Sequence, residues 1–134
     1  MNILLDTHLA IWVLFGDSKL SDKAKNYILN SDNTIFYSVV STWEVLLKHD
    51  HDPQNMLMDV HSFLDGCQQA GFLPLNLADK HVAAIESLTA SRGAPEHKDP
   101  FDKLLIAQAK TENFLILTHD RKMASYDEAC VILV

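Results

Sequence analysis

The run Ile3-Leu4-Leu5-Asp6, followed at once by an apolar helical pattern, constrains the fold of this chain more than any other stretch. A short continuous apolar run of this kind reads as a strand buried on both faces. It ends in a carboxylate and turns straight into a helix over 8–15. That helix carries Leu9, Trp12 and Val13 at helical spacing and is closed by Gly16. In open α/β sheets, ligands bind beyond the carboxyl ends of the strands. Asp6 therefore stands where such a fold does its chemistry, and the rest of the chain reads as scaffolding that brings further carboxylates to it.

The remaining pattern is consistent with that entry. Ser21 is expected to cap a helix over 22–30, and the β-branched and aromatic stretch TIFYSVV at 34–40 predicts a second strand. Ser41-Thr42-Trp43-Glu44 predicts the opening of a helix running into Lys48, with Ser41 and Glu44 as a capping box. The segment 49–55 reads as a polar loop broken by Pro53. An amphipathic helix with Leu57, Val60, Phe63, Leu64 and Cys67 on one face follows, and Gly71 ends it. A third strand is expected at 72–75, a helix over 78–91 around Val82, Ile85 and Leu88, and a loop over 92–99. Asp99 and Pro100 suit the N-cap and first turn of a helix over 100–112. A fourth strand, 114–118, ends in His119-Asp120, and a turn and the strand CVILV complete the chain. Helices alternating with short apolar strands predict a three-layer α/β/α domain on a mostly parallel sheet of four to five strands. With 134 residues and no repeat or linker, one domain over 1–134 is expected.

Composition narrows the function. Apolar residues make up 48% and charged residues 22%, as in an ordinary soluble protein. No apolar run approaches the ~18 residues that span a membrane. The start MNILLDT has no basic region before its apolar residues, so no signal peptide and a cytoplasmic location are expected. Cys67 and Cys130 lack metal-pair spacing and read as two reduced, buried thiols. The net charge of −7 argues against nucleic-acid binding, unless several acids gather around a cation that then dominates the local field.

Four acids stand out by position. Asp6 follows the first strand, Glu44 sits early in the helix after the second, and Asp120 lies just past the fourth. Asp102, in the first turn of the helix over 100–112, joins them only if that helix begins at the same sheet edge. Neighbouring carboxylates repel, so such a cluster either holds protons or binds a cation. A donor set of oxygens suits a hard ion, Mg²⁺ or Mn²⁺, and its chemistry would be metal-assisted hydrolysis of a phosphodiester. Taken singly, the acids have plainer readings. Glu44 reads as a cap, Asp99 with Asp102 as an N-terminal pair on the helix dipole, and Asp120 as a turn acid. Asp6 resists such a reading, because an acid directly after an apolar strand is costly unless satisfied. The seven histidines are scattered and make no zinc pattern, although His8 and His119 flank two of the acids. Lys48, Lys98, Lys103, Arg121 and Lys122 lie near the acidic motifs and would guide a phosphate chain locally.

The segments LLDTHLAIW at 4–12, SVVSTWEVLLK at 38–48, HKDPFDKLLIAQA at 97–109 and LTHDRKM at 117–123 occur in this order across nearly the whole chain. Together they resemble PIN-domain ribonucleases, and especially the VapC-type toxins of type II toxin–antitoxin pairs. The resemblance implies Mg²⁺- or Mn²⁺-dependent endoribonuclease activity. Its acidic positions fall on Asp6, Glu44, Asp102 and Asp120 as catalytic and metal-holding residues. Thr118, Thr7 and Asp99 would support them, with Asp99 as cap and Asp102 as ligand, or the reverse. Lys48, Lys103 and Arg121 would face the RNA. The implied partners are RNA, a cognate antitoxin and a second copy of the chain. Two other readings remain: a catalytically inactive PIN-like module that binds RNA or protein, and a phosphatase with Asp6 as nucleophile. The second lacks the usual aspartate two residues on, where this chain has His8.

Overall fold

The computed structural model describes residues 1–89 and 99–134. In chain order its elements are β1 (Asn2–Leu5), α1 (Thr7–Phe15), α2 (Asp22–Leu29), β2 (Thr34–Ser38), α3 (Val39–His51) and α4 (Val60–Gln69). These are followed by β3 (Leu73–Leu75), α5 (Asp79–Ala84), a 3-10 turn (Ile85–Ser87), α6 (Pro100–Glu112), β4 (Leu115–Thr118), α7 (Arg121–Ala124) and β5 (Val131–Leu133). The strands form one five-stranded sheet in the order β3-β2-β1-β4-β5, and each neighbouring pair is parallel.

The apolar run that opens the chain is the middle strand. Ile3, Leu4 and Leu5 are fully buried, and successive side chains point to opposite faces. Ile3 and Leu5 join a core with Leu9, Ala10 and Ile11 of α1 and Phe63 and Cys67 of α4. Leu4 joins a second core with Val40 of α3 and Leu105, Ile106 and Ala109 of α6. Both faces are covered, which is why the run carries no polar alternation. This is the three-layer α/β/α architecture expected from the sequence.

The order of the strands fixes where a site can form. The chain runs outward from β1 through β2 to β3, then crosses back to β4 and β5 on the other side. The order therefore reverses between β1 and β4, and a crevice opens beyond the carboxyl ends of that pair. The backbone N–H of Asp6 donates to the carbonyl of Leu117 at 3.0 Å, carrying the pairing of β1 with β4 one residue further.

Local structure departs from expectation at five places. The second strand stops at Ser38, whose hydroxyl accepts from the N–H of Val40 at 2.9 Å and donates to Gln108 Oε1 at 2.5 Å. Val39 and Val40 are strand formers by propensity, but the Ser38 cap and the packing of Val40 against the α6 core turn them into the start of α3. Ser41 and Glu44 consequently lie inside the helix, and the expected capping box between them does not form. The same helix runs on to His51, through part of the segment expected to be loop. The next helix begins at Val60 under an Asp59 cap, which leaves Leu57 outside it and exposed. Of the helix expected over 78–91, residues 78–89 are described and form α5 and the 3-10 turn, which bury His81 in place of Val82. His81 Nδ1 accepts from the N–H of Ala78 at 2.9 Å, so its Nε2–H donates to Glu112 Oε1 at 2.7 Å. A side chain satisfied at both nitrogens is buried at little cost. Between β4 and β5 the expected turn contains α7. The loop expected over 92–99, with His97 and Lys98, lies outside the described residues apart from Asp99.

Both cysteines are free, Cys67 buried and Cys130 half-buried, and burial pushes the Cys67 thiol up to about 12. Gly16 ends α1 at φ 64, a left-handed conformation that a side chain resists. Gly16→Ala is expected to lower the unfolding free energy by about 1 kcal/mol, read from the shift of the urea midpoint.

Candidate active site

Asp6 is the N-cap of α1 and is only 4% exposed. Its Oδ1 accepts from the N–H of Leu9 at 2.7 Å, and its Oδ2 accepts from the Thr118 hydroxyl at the end of β4. The sequence places it there because a strand end beside a helix start needs a short acceptor for the free amides of the first turn. Burial pushes its carboxyl from the ordinary 3.8 up to about 6, against the lowering effect of the Thr118 and Leu9 hydrogen bonds.

Thr118 is fully buried and works in both directions: it donates to Asp6 and accepts from the N–H of Asp120 at 3.0 Å. Asp120 caps α7, with its Oδ1 accepting from the N–H of Lys122 at 2.8 Å. One hydroxyl thus ties the acid after β1 to the acid after β4 across the switch point. Between them, His119 sits against Trp12, ring centroids 4.0 Å apart, and its Nδ1 lies 3.9 Å from Asp6 Oδ2. Burial holds the His119 imidazole below its usual value, which favours the neutral ring.

From the other side of β1, α3 brings Glu44, which is 2% exposed. Its Oε2 accepts from Lys48 Nζ at 2.5 Å, one helical turn on. Among the described residues its buried Oε1 has no hydrogen-bond partner. Thr7 Oγ1 and Ser41 Oγ, both buried, share a hydrogen bond of 2.8 Å that pins the start of α1 to α3. This bond sets the spacing between the helices that carry Asp6 and Glu44.

The fourth acid arrives on α6. Asp99 is its N-cap, accepting at Oδ1 from the N–H groups of Phe101 at 2.9 Å and Asp102 at 3.2 Å. Asp99→Ala is expected to cost about 1 kcal/mol of stability, measured as a lowered melting temperature. Asp102 follows in the first turn. Burial, and then the negative charges of Asp99, Glu44, Asp6 and Asp120, push its carboxyl from 3.8 up to about 8. The start of α6 is therefore at the same sheet edge as the other acids, which spacing alone left open.

Asp6, Glu44, Asp99, Asp102 and Asp120 line one cavity of about 70 Å³, together with Thr7, His8, Lys48, His119 and Met123. Water-sized molecules fit in such a volume. Thr118 stands behind the cavity, holding Asp6. Of the cations expected to face a substrate, Lys48 borders the cavity, whereas Lys103 and Arg121 are not among its lining residues. Met123 has no chemical signature that sequence reading could use. His119 had one, its place between the fourth strand and an acid, but not its contact with Trp12.

The donor set fits a hard divalent cation. Among the described residues no three His, Cys, Asp or Glu side chains already converge tightly enough to hold a bare ion. Mg²⁺, however, keeps several waters and binds through one or two carboxylates. Two observations support such a hydrated ion. Glu44 Oε1 is an orphaned acceptor at the cavity, and the carboxyls of Asp6 and Asp102 are both raised toward or above neutral. A nearby cation would relieve all three.

Fold and site together define an α/β domain with carboxylates gathered where a parallel sheet reverses its strand order. Residues 3–129 match the family model of the PIN domain, and the chain belongs to that family. Among solved structures it is similar to the crystal structure of VapBC2 from Rickettsia felis bound to a DNA fragment from their promoter. The TM-score is 0.67 at 20% identity, with 100% of this chain and 98% of that one covered. At that identity the likeness is one of fold. No curated protein sequence matches the chain.

Proposed function

We propose that this PIN-domain protein is a Mg²⁺- or Mn²⁺-dependent endoribonuclease, acting in the cytoplasm as the toxin of a toxin–antitoxin pair. The observation that carries the reading is the single cavity lined by Asp6, Glu44, Asp102 and Asp120 at the switch point of the sheet. The fold likeness to the VapBC2 structure supports a toxin role and an antitoxin partner. The half-exposed apolar residues Val39, Trp43 and Leu46 on α3 support an interface with a second copy of the chain.

Asp6 and Asp102 would hold the ion, with Glu44 and Asp120 reaching it directly or through water. A bound ion supplies a Lewis acid for the phosphate and eases deprotonation of a water. The chain does the positioning. Leu9 N–H and Thr118 fix both oxygens of Asp6, so that carboxylate is aimed before substrate arrives. With both oxygens engaged, Asp6 is a poor nucleophile, which disfavours the phosphatase reading. Without a cation, Asp102 keeps a proton at neutral pH, and it gives that proton up when positive charge enters the cavity. Lys48 pairs with Glu44 at rest and, among the described residues, is the lysine that borders the cavity an incoming phosphate would enter. Lys103 and Arg121 would meet the RNA further from the cut. Thr7 and Asp99 keep the helix starts in place.

The test is incubation of the purified protein with total RNA in Mg²⁺ or Mn²⁺, beside a matched sample in EDTA. Discrete fragments with metal and intact RNA with EDTA are expected. Intact RNA in both samples, from a protein shown to be folded, overturns the proposal.

A further inference from the structure

Beside the carboxylate cavity lies a second, larger one of about 470 Å³, within the range of small-ligand pockets. The two share His8 and Lys48 in their walls, so the second lies directly beside the first. The second cavity is built from the last turn of α3 and the turn that follows it. Leu47 and Met56 give it apolar walls, while Asp52 and Asn55 supply hydrogen-bonding groups.

The turn is firmly tied. The carbonyl of Asp52 accepts from the N–H groups of Asn55 at 3.1 Å and Met56 at 3.0 Å, and the N–H of Asp52 donates to the carbonyl of Lys48 at 2.9 Å. His49 Nδ1 and the carbonyl of Met56 are 2.7 Å apart, in a hydrogen bond that fastens the far end of the turn to α3. Asn55 Nδ2 also donates to Asp52 Oδ2, fixing the two side chains relative to each other. A carboxylate is an unexpected component of a surface that meets a polyanion. It makes sense where it reads an N–H donor.

We propose that this cavity seats the nucleobase beside the scissile phosphate, and that Asp52 and Asn55 select bases bearing an exocyclic amino group over uracil. The inference rests on the nuclease reading above for the identity of the chain that passes through it. Leu47 and Met56 take the face of the base by apolar contact, in place of the aromatic stacking usual in single-strand recognition. The Asp52 carboxylate, which only accepts, takes the amino group of adenine or cytosine, while uracil presents a carbonyl there. Lys48, common to both cavities, takes the phosphate between the base and the cut.

Fluorescein-labelled heptaadenylate, heptacytidylate and heptauridylate, titrated by fluorescence anisotropy in Ca²⁺, test the proposal without requiring turnover. Wild type is expected to bind the adenine and cytosine oligomers about tenfold more tightly than the uracil oligomer. Asp52→Asn and Asn55→Ala, both outside the carboxylate cavity, are expected to remove that difference while keeping the melting temperature. Equal binding of all three by wild type, or a preference that survives both substitutions, overturns the assignment even if the protein cuts RNA. A preference lost in the variants of a protein that cuts no RNA upholds this cavity and refutes the nuclease reading instead.

Discussion

Asp102→Asn is expected to slow RNA cleavage by about 10²–10³-fold and, in the same molecule, to raise the melting temperature of the metal-free protein. The two effects share a cause. Asp102 is partly buried among Asp99, Glu44, Asp6 and Asp120, and their charges together with desolvation disfavour its ionised form. Asparagine keeps the shape and the start of α6, whose cap is Asp99, but removes that penalty. It also removes an acid proposed to hold the ion, and losing such a charge at a reacting centre costs about 10²–10³ in rate. Cleavage rates and thermal melts in EDTA measure both. A residue there for stability alone would show the opposite pattern, with lower stability and retained cleavage. Asp6→Asn is expected to cost as much activity, without the gain in stability, because Asp6 accepts hydrogen bonds at both oxygens and an amide accepts at only one.

The stability of the metal-free protein is expected to fall as pH rises from about 4 to about 8, by on the order of 4 kcal/mol. Asp6 and Asp102 ionise at 3.8 in the unfolded chain, but at about 6 and about 8 when folded. Between those values the folded state binds more protons than the unfolded one, so raising the pH favours unfolding. Below 3.8 both states are protonated, and above 8 both are ionised, so the slope vanishes outside the window. Asp102 retains some contact with water, and screening there reduces its share. Asp59 and Glu112 have the opposite shift, each held below its ordinary value by hydrogen bonds, and their contribution is lost only at lower pH. Saturating Mg²⁺ is expected to flatten the slope, because the ion binds the ionised carboxylates and its binding energy adds to folding. Urea unfolding at pH 5, 6, 7 and 8, in EDTA and in Mg²⁺, reads the difference. Equal stability across that range in EDTA would contradict the carboxylate arrangement.

The sheet was legible because its central strands have a simple cause. Ile3-Leu4-Leu5 must be covered on both sides, and only helices on both faces of a parallel sheet do that. Asp6 and Asp120 were legible for the same reason, since they stand at strand ends and topology decides what strand ends share. Glu44 was found by its place after the second strand, but its reading as part of a capping box failed. The cap lies at Ser38, because Gln108, seventy residues on, holds the Ser38 hydroxyl, and no window of sequence contains both. Asp102 needed the structure to show that α6 begins at the edge where β1 ends. His81 was missed because periodicity scores apolar residues and cannot register a histidine satisfied at both nitrogens by Ala78 and Glu112. The tie from Thr118 to Asp6 and Asp120, and the cavity beside Asp52 and Asn55, join residues far apart in sequence and carry no local signal.

Direct binding of Mn²⁺, followed by the loss of the free-ion signal in electron paramagnetic resonance, tests the central claim most directly. The account predicts stoichiometric binding by the wild-type protein at pH 7 and its loss in both Asp6→Asn and Asp102→Asn, each still folded by circular dichroism. Binding that both variants retain, or none by a folded wild-type protein, would contradict the claim that these carboxylates form a metal site.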